Sequence, residues 1–363
     1  MIAPALRALS ALGIVVVLGV TGCAATGSAA DPAPSGQVTS STPPSASATP
    51  SPTAAAWTVA FGGQCDAMLT PSQRDARVGP GALEQSVWLS QQLADVAGAE
   101  TTTAPPGPEA TAGGLRCTWF EKTDSSRTGR AWTVFALPRQ VAAPTVTAAL
   151  AEPACEWNYD TRVCRWGRTV GGLWVMVASS PMEEGEQAPV DVMSSLLDDV
   201  AANATAFPEP VPLAPTAPRW KITECTALGA RMALEQVIGE GYWSGYWEGS
   251  RQPEDDLFEH AGVQQFCQFG PGDDAVTGGT YGLISVTLQP GGAWMWPTVS
   301  ADAGDRTHLD GATDARLTVM TGSSFVGDRL VATDGTNLIR VRVGGREASL
   351  DVAGRALAAL AHG

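Results

Sequence analysis

Three histidines, His260, His308 and His362, are the chain's whole stock of imidazole. No two lie four residues apart, so the paired zinc ligands that an HExxH helix supplies are missing. There is no G-x-S-x-G elbow to expose a serine nucleophile, no S-x-x-K pair, and no Gly-Lys step for a phosphate loop. Gly239-Glu240-Gly241 lacks the third glycine of a dinucleotide fingerprint and follows a helical stretch instead of a strand. The acidic runs Glu183-Glu184-Gly185-Glu186 and Glu254-Asp255-Asp256 lack the alternating oxygens of a calcium loop, as do Asp302, Asp305, Asp310 and Asp314. All read as solvated loops. The chain is therefore expected to carry no catalytic residue, no metal and no cofactor, and not to be an enzyme.

What remains is rings and thiols. Tyr242-Trp243 and Tyr246-Trp247 form two Tyr-Trp pairs set among glycines, a surface suited to stacking on sugars or gripping a protein partner. Trp294 and Trp296 are candidates to join it. With 12 tryptophans in the chain, the other reading is that these rings seal a sheet edge or an interface between domains. Charge narrows the partners. Lys and Arg number 22 against 37 Asp and Glu, a net charge of −15, and such a chain does not seek nucleic acid.

One thiol stands apart from the others. An apolar run from Ala8 to Val20 ends on Thr21-Gly22-Cys23, and it is too short to span a bilayer core, which needs about 20 apolar residues. A weakly basic start, an apolar middle and a small-residue end make an export signal. Val20-Thr21-Gly22-Cys23 resembles the lipobox of bacterial lipoproteins. That resemblance implies that the Cys23 thiol receives a diacylglycerol, that the chain is cut before it, and that acyl chains then anchor it in membrane lipid. From Ala24 to Ala56 the only charge is Asp31 and no large apolar residue occurs, so this segment cannot bury enough surface to order itself. It is a tether with a reach of roughly 30 Å.

The remaining sequence is written twice. Cys65 and Cys225 open the two halves. Thr70 and Pro71 read as the N-cap and first residue of a helix; Leu228, Met232, Val237 and Ile238 fall near helical spacing before Gly239. Cys117-Thr118-Trp119-Phe120 matches Cys267-Gln268-Phe269-Gly270, and Trp132 to Pro138 matches Ile284 to Pro290, both as strands. Each half ends on a strand, at 173–177 and 339–343, and the second alternates with Arg340 and Arg342 outward, which predicts a wet face. A helix follows each. One carries Val192, Met193, Leu196, Leu197 and Val200; the other starts at a Ser349 N-cap and carries Val352, Ala356, Leu357 and Leu360. The fold class is α+β: two tandem sandwich domains, each a mostly antiparallel sheet covered by helices. The boundaries are 1–22 signal, 23–56 lipidated cysteine and tether, 57–207 first domain, 208–218 Pro-rich linker and 219–363 second domain, and each half is expected to fold alone. Six cysteines remain in an exported chain, which predicts disulfides. A duplicated domain should keep one bond inside each copy, Cys65–Cys117 and Cys225–Cys267, leaving Cys155–Cys164 for a hairpin found only in the first half.

Lipobox, tether, an early cysteine before a short helix and a later Cys-Ser/Thr-Trp strand resemble a family of actinobacterial lipoproteins similar in fold to PsbP-like α/β sandwiches. The second half departs from it, with Cys267-Gln268-Phe269 in place of Cys-Thr-Trp. The resemblance implies a fold and a location, the outer face of the cytoplasmic membrane, and no reaction. The expected role is a non-catalytic binding, sensing or scaffolding module of the envelope, with an envelope protein or wall glycan as partner. A transporter's solute receptor and an envelope hydrolase are the alternatives. The anchor has a direct test: Cys23→Ser should move the protein from the membrane fraction into the medium. A variant that stays membrane-bound with its leader uncleaved would mean that residues 8–20 are themselves the anchor.

Overall fold

The computed structural model describes residues 56–84, 107–121, 130–158, 161–182, 184–214, 217–245, 251–272, 282–301, 303–318 and 328–361. All belong to one compact unit, Thr53–Gly363. The signal, Cys23 and the tether as far as residue 55 lie outside the described residues, as do Glu183, Tyr246, Trp247 and Asp302.

Apolar and aromatic runs in the first half form strands β1 (Leu83–Glu84), β2 (Leu115–Phe120), β3 (Ala131–Pro138), β4 (Ala154–Asn158), β5 (Thr161–Val170) and β6 (Leu173–Met182). They pair in the order β1-β2-β3-β6-β5-β4, every pair antiparallel. The second half supplies β7 (Trp243–Gly245), β8 (Gln265–Gly270), β9 (Ile284–Gln289), β10 (Asp305–Arg306), β11 (Asp314–Thr318), β12 (Asp328–Thr333) and β13 (Leu338–Val343). Read from β7, its order is β7-β8-β9-β13-β12-β11-β10. That is the first sheet's order with one edge strand added.

The registers agree residue by residue. Cys117 faces Val134, and Val134 faces Val177. In the second sheet Cys267 faces Val286, and Val286 faces Val341. Because side chains alternate across a strand, this fixes every other equivalence, including Phe135 with Thr287, Met176 with Arg340 and Arg165 with Arg329. The duplication is therefore one of strand order and register as well as of sequence. The hairpin expected only in the first half is not confined to it: β11–β12 holds the place of β4–β5 in the second sheet, without the disulfide.

One face of each sheet is covered by its own helices. Helix α1 (Cys65–Met68) is bonded to β2 through Cys65–Cys117, and the helix at Cys225–Arg231 to β8 through Cys225–Cys267; Cys155–Cys164 crosses β4 and β5. These are the pairs the repeat predicts. The sequence separations of 52 and 42 residues correspond to about 4 kcal/mol each in the chain-entropy model. Helix α2 (Pro71–Arg77) starts on a capping box, with Thr70 accepting from the Gln73 amide. Val190–Ala204 buries Met193, Leu196, Leu197 and Val200 on the first sheet, and Arg346–Ala361 buries Val352, Ala353, Ala356, Leu357 and Leu360 on the second.

Two local expectations are corrected. Ser349 is not an N-cap: the last helix starts at Arg346, and the Ser349 hydroxyl donates to the Gly345 carbonyl inside the first turn. The stretch Leu228–Ile238 is two helices, Cys225–Arg231 and Glu235–Ile238, broken at Ala233, whose φ is 52°. The break turns Met232, Leu234 and Ile238 into one core cluster with Leu228.

The opposite faces decide how the halves meet. On the first sheet Phe135, Leu137, Trp174 and Met176 are fully buried. Gly167 makes room for the Trp174 indole, which would lie 2.5 Å from a Cβ there. The helix Pro144–Ala149 covers part of this face with Val146. The rest is covered by Leu257 and Phe258 of Pro253–His260, a helix of the second half, and Phe135 and Phe258 meet edge to face at 5.6 Å. Beside them Arg165, its side chain 6% exposed, reaches Glu156 Oε1 at 2.6 Å, Gln252 Oε1 at 2.6 Å and Glu254 Oε1 at 3.4 Å. The last two belong to the second half, so the buried cation is neutralised from both sides; removing one partner of such a pair costs about 3–5 kcal/mol. The linker is held too, with Val211 paired to Thr58 and Leu213 N–H donating to Thr111 O.

This shared layer bears on the expectation that each half folds alone. Residues 57–207 expressed by themselves should uncover part of the Phe135 and Met176 face and bind a hydrophobic dye. Giving the fragment the second copy's residues, Phe135→Thr with Met176→Arg, should reduce dye binding by severalfold. Equal dye binding by both fragments would show that the helix Pro253–His260 is dispensable to that face.

Candidate functional site

The rings singled out by sequence are not gathered into one surface. Tyr242 lies edge to face on Phe269, with centroids 6.2 Å apart, and its hydroxyl sits over Gly229. Burial first, and then the Glu235 charge, push its phenol up from the ordinary value. Trp243 lays its indole over Gly270, where a Cβ would come within 2.4 Å of the ring. Both rings serve the β7 edge. Trp294 stands at the junction of the halves, with Nε1–H donating to Thr111 Oγ1 at 2.9 Å and its ring 4.9 Å from that of Trp57. Trp296 packs with Met295, Val299, Val331 and Leu338. The acidic stretches are also engaged: Glu186 accepts from Arg130, Asp255 accepts from the Gln252 N–H, and Asp314 accepts from Arg306. Among the described residues no three His, Cys, Asp or Glu side chains converge on a common point.

Two hollows are found among the described residues. One of about 150 Å³ lies between Phe61, Val170, Gly171 and Phe207, and its lining is mostly apolar. A second, near His308 and Thr313, is open to solvent. The first lacks convergent polar groups; in the second, Arg306 and Asp314 bond each other at 3.1 Å.

Charge is concentrated elsewhere, on the face of the second sheet that its own helix Arg346–Ala361 does not cover. Alternation puts Arg316, Arg329, Arg340 and Arg342 there, since Ala315, Leu317, Leu330, Ala332, Ile339 and Val341 all point into the opposite core. The register sets them side by side. Val331 has Arg316 on one neighbouring strand and Arg340 on the other; one step along, Arg329 stands directly opposite Arg342. With strands about 4.8 Å apart, four guanidinium stems rise from a patch about 10 Å wide. Like charges directly opposite on a sheet are destabilising.

No carboxylate among the described residues bonds Arg316, Arg340 or Arg342. A carboxylate on the same face, Asp314, is held by Arg306 at 3.1 Å. The Nε atoms of Arg316 and Arg340 are shielded from solvent and meet no hydrogen-bond partner, a state that a buried donor does not adopt without cost. Burial, and then the charges of Arg329 and Arg342, push the Arg340 guanidinium down to about 10. Arg342 is exposed. The contrast with the first sheet is specific. Arg165, the counterpart of Arg329, is sealed under Glu156, Gln252 and Glu254, and Met176, the counterpart of Arg340, is buried among apolar side chains.

Part of this was visible in sequence. The alternation of Ile339-Arg340-Val341-Arg342-Val343 predicts arginines on a wet face. Arg316 and Arg329 come from two other strands, and only the register brings them in. Comparison with protein-family models, with curated proteins and with solved structures gives no match to this chain.

The folded state thus holds the charged form of Arg340 at a disadvantage at neutral pH. A base whose pKa is lowered on folding destabilises the fold below that pKa, and the penalty lifts as pH climbs from about 10 toward the ordinary arginine range. Arg340→Met, which installs the first copy's residue, should raise the melting temperature at pH 7 by ~2–4 °C, equivalent to about 1 kcal/mol. The advantage should shrink above pH 10. A loss of stability at pH 7 would show that the guanidinium is satisfied where it stands.

Proposed function

We propose that this chain is a non-catalytic binding module of the cell envelope, held to the outer face of the membrane by acylated Cys23, and that its binding surface is the arginine face of the second sheet. The observation that carries the reading is the pair of shielded, partnerless Nε atoms of Arg316 and Arg340 beside the opposed Arg329 and Arg342, in a chain of net charge −15. Groups that cost stability where they stand are candidates for function, and guanidinium is suited to planar, bidentate recognition of oxyanions. The ligand chemistry is therefore anionic. The lipobox and tether support the location, and the lipoprotein family that the sequence resembles supports the role of a binding or scaffolding module.

The aromatic surface supports this reading less well. Trp294 and Trp296 are spent on the junction and on the helix Trp296–Ala301, which leaves Tyr242 and Trp243 at an edge.

The test is thermal stability in inorganic phosphate against chloride at equal ionic strength. Phosphate should raise the melting temperature by several degrees once it exceeds its dissociation constant about a hundredfold, and Arg340→Met should abolish the increment. Equal melting temperatures in the two salts would remove the arginine face from consideration as an anion site.

A further inference from the structure

Where the folded unit begins says what the arginine face meets. Trp57 donates its indole N–H to the Ala110 carbonyl at 3.0 Å and packs on Trp294. The chain from Trp294 continues directly into Trp296–Ala301, whose Val299 packs with Val331 and Leu338. Those two residues lie on the same sheet face as the arginines: Val331 is flanked by Arg316 and Arg340, and Leu338 precedes Arg340 by two positions on β13. The folded unit therefore starts on the side that carries the guanidinium cluster.

We infer that the arginine face docks on the phosphates of anionic lipid headgroups in the membrane that holds the tether. The inference rests on the reading of that face as an anion site and names its ligand. Charge complementarity favours this occupant. A body of net charge −15 is repelled by an anionic bilayer, and a single cluster of cations orients it with one side down. Confinement favours it as well. Residues 24–56 separate Cys23 from Trp57, so acylation of Cys23 would confine the face to an effective concentration of order millimolar near the surface, where weak contacts suffice to hold it. The guanidiniums differ in depth: Arg342 is exposed and Arg316 and Arg340 are half-buried, which suits headgroup phosphates entering between the stems. The attraction is short in range, with a screening length of about 8 Å at physiological salt.

The experiment is co-sedimentation of the full chain carrying Cys23→Ser with vesicles of phosphatidylglycerol and phosphatidylcholine, and with vesicles of phosphatidylcholine alone. The second set reads any insertion of apolar residues 8–20. Binding to the mixed vesicles should exceed binding to the neutral ones. The excess should fall roughly fivefold in Arg342→Ala and further in Arg342→Ala with Arg340→Met, and 0.5 M NaCl should remove it. Arg139→Ala, an exposed arginine of the first half, should leave it unchanged. An excess that survives loss of both arginines, or that Arg139→Ala lowers equally, would overturn the inference. So would phosphate stabilisation without any preference for anionic vesicles, although the anion site itself would then stand. Absence of both effects would overturn the site and the docking together.

Discussion

A β-sheet has two faces, and a single layer of helices covers one of them. This chain carries the problem twice, because both halves fold to the same strand order and register. The first sheet's second face is closed by the helix Pro144–Ala149 and by Leu257 and Phe258, which come from the other half. The second sheet's second face is closed at one end by Met295 and Val299 over Val331 and Leu338. On either side of Val331, and one row beyond it, the same face carries Arg316, Arg340, Arg329 and Arg342. The asymmetry between two copies of one fold separates the face spent on holding the molecule together from the face that carries the arginines.

Energetics follow the same division. The junction combines apolar burial with the Arg165 network, in which a buried cation is satisfied by Glu156, Glu254 and Gln252. At the equivalent position of the second copy, Arg329 stands opposite Arg342 on the neighbouring strand. One arginine position thus serves as a clamp in one copy and lies within an arginine cluster in the other. Repulsion that a bound anion relieves raises the anion's affinity, since binding then removes a penalty already present in the free protein.

Much of the architecture was legible in the sequence because its signals are local. Cysteine spacing, the Cys-x-aromatic strands and the Thr70 cap marked the repeat, and the repeat fixed the disulfide pairing. The last helix began earlier than its serine suggested, because a serine hydroxyl can return to the carbonyl four residues back as readily as it can cap. The site was less legible. Tyr242, Trp243, Trp294 and Trp296 drew attention by density in sequence, yet the first two pack on Phe269 and Gly270 and the last two on the cluster around Met295 and Val299. Arg316 and Arg329 are unremarkable on their own strands. Their meaning comes from cross-strand register, which joins positions far apart in the chain and leaves no mark in any short window.

The central claim is that the second sheet's arginine face is open to anions while the first sheet's counterpart is sealed. Mass-spectrometric mapping of arginine modification by phenylglyoxal measures this directly on the folded chain. The account predicts that Arg342 reacts readily, that Arg316 and Arg340 follow, that phosphate slows all three, and that Arg165 stays unmodified until the protein unfolds. Modification of Arg165 as fast as Arg342, or rates at Arg342 that phosphate leaves unchanged, would contradict it.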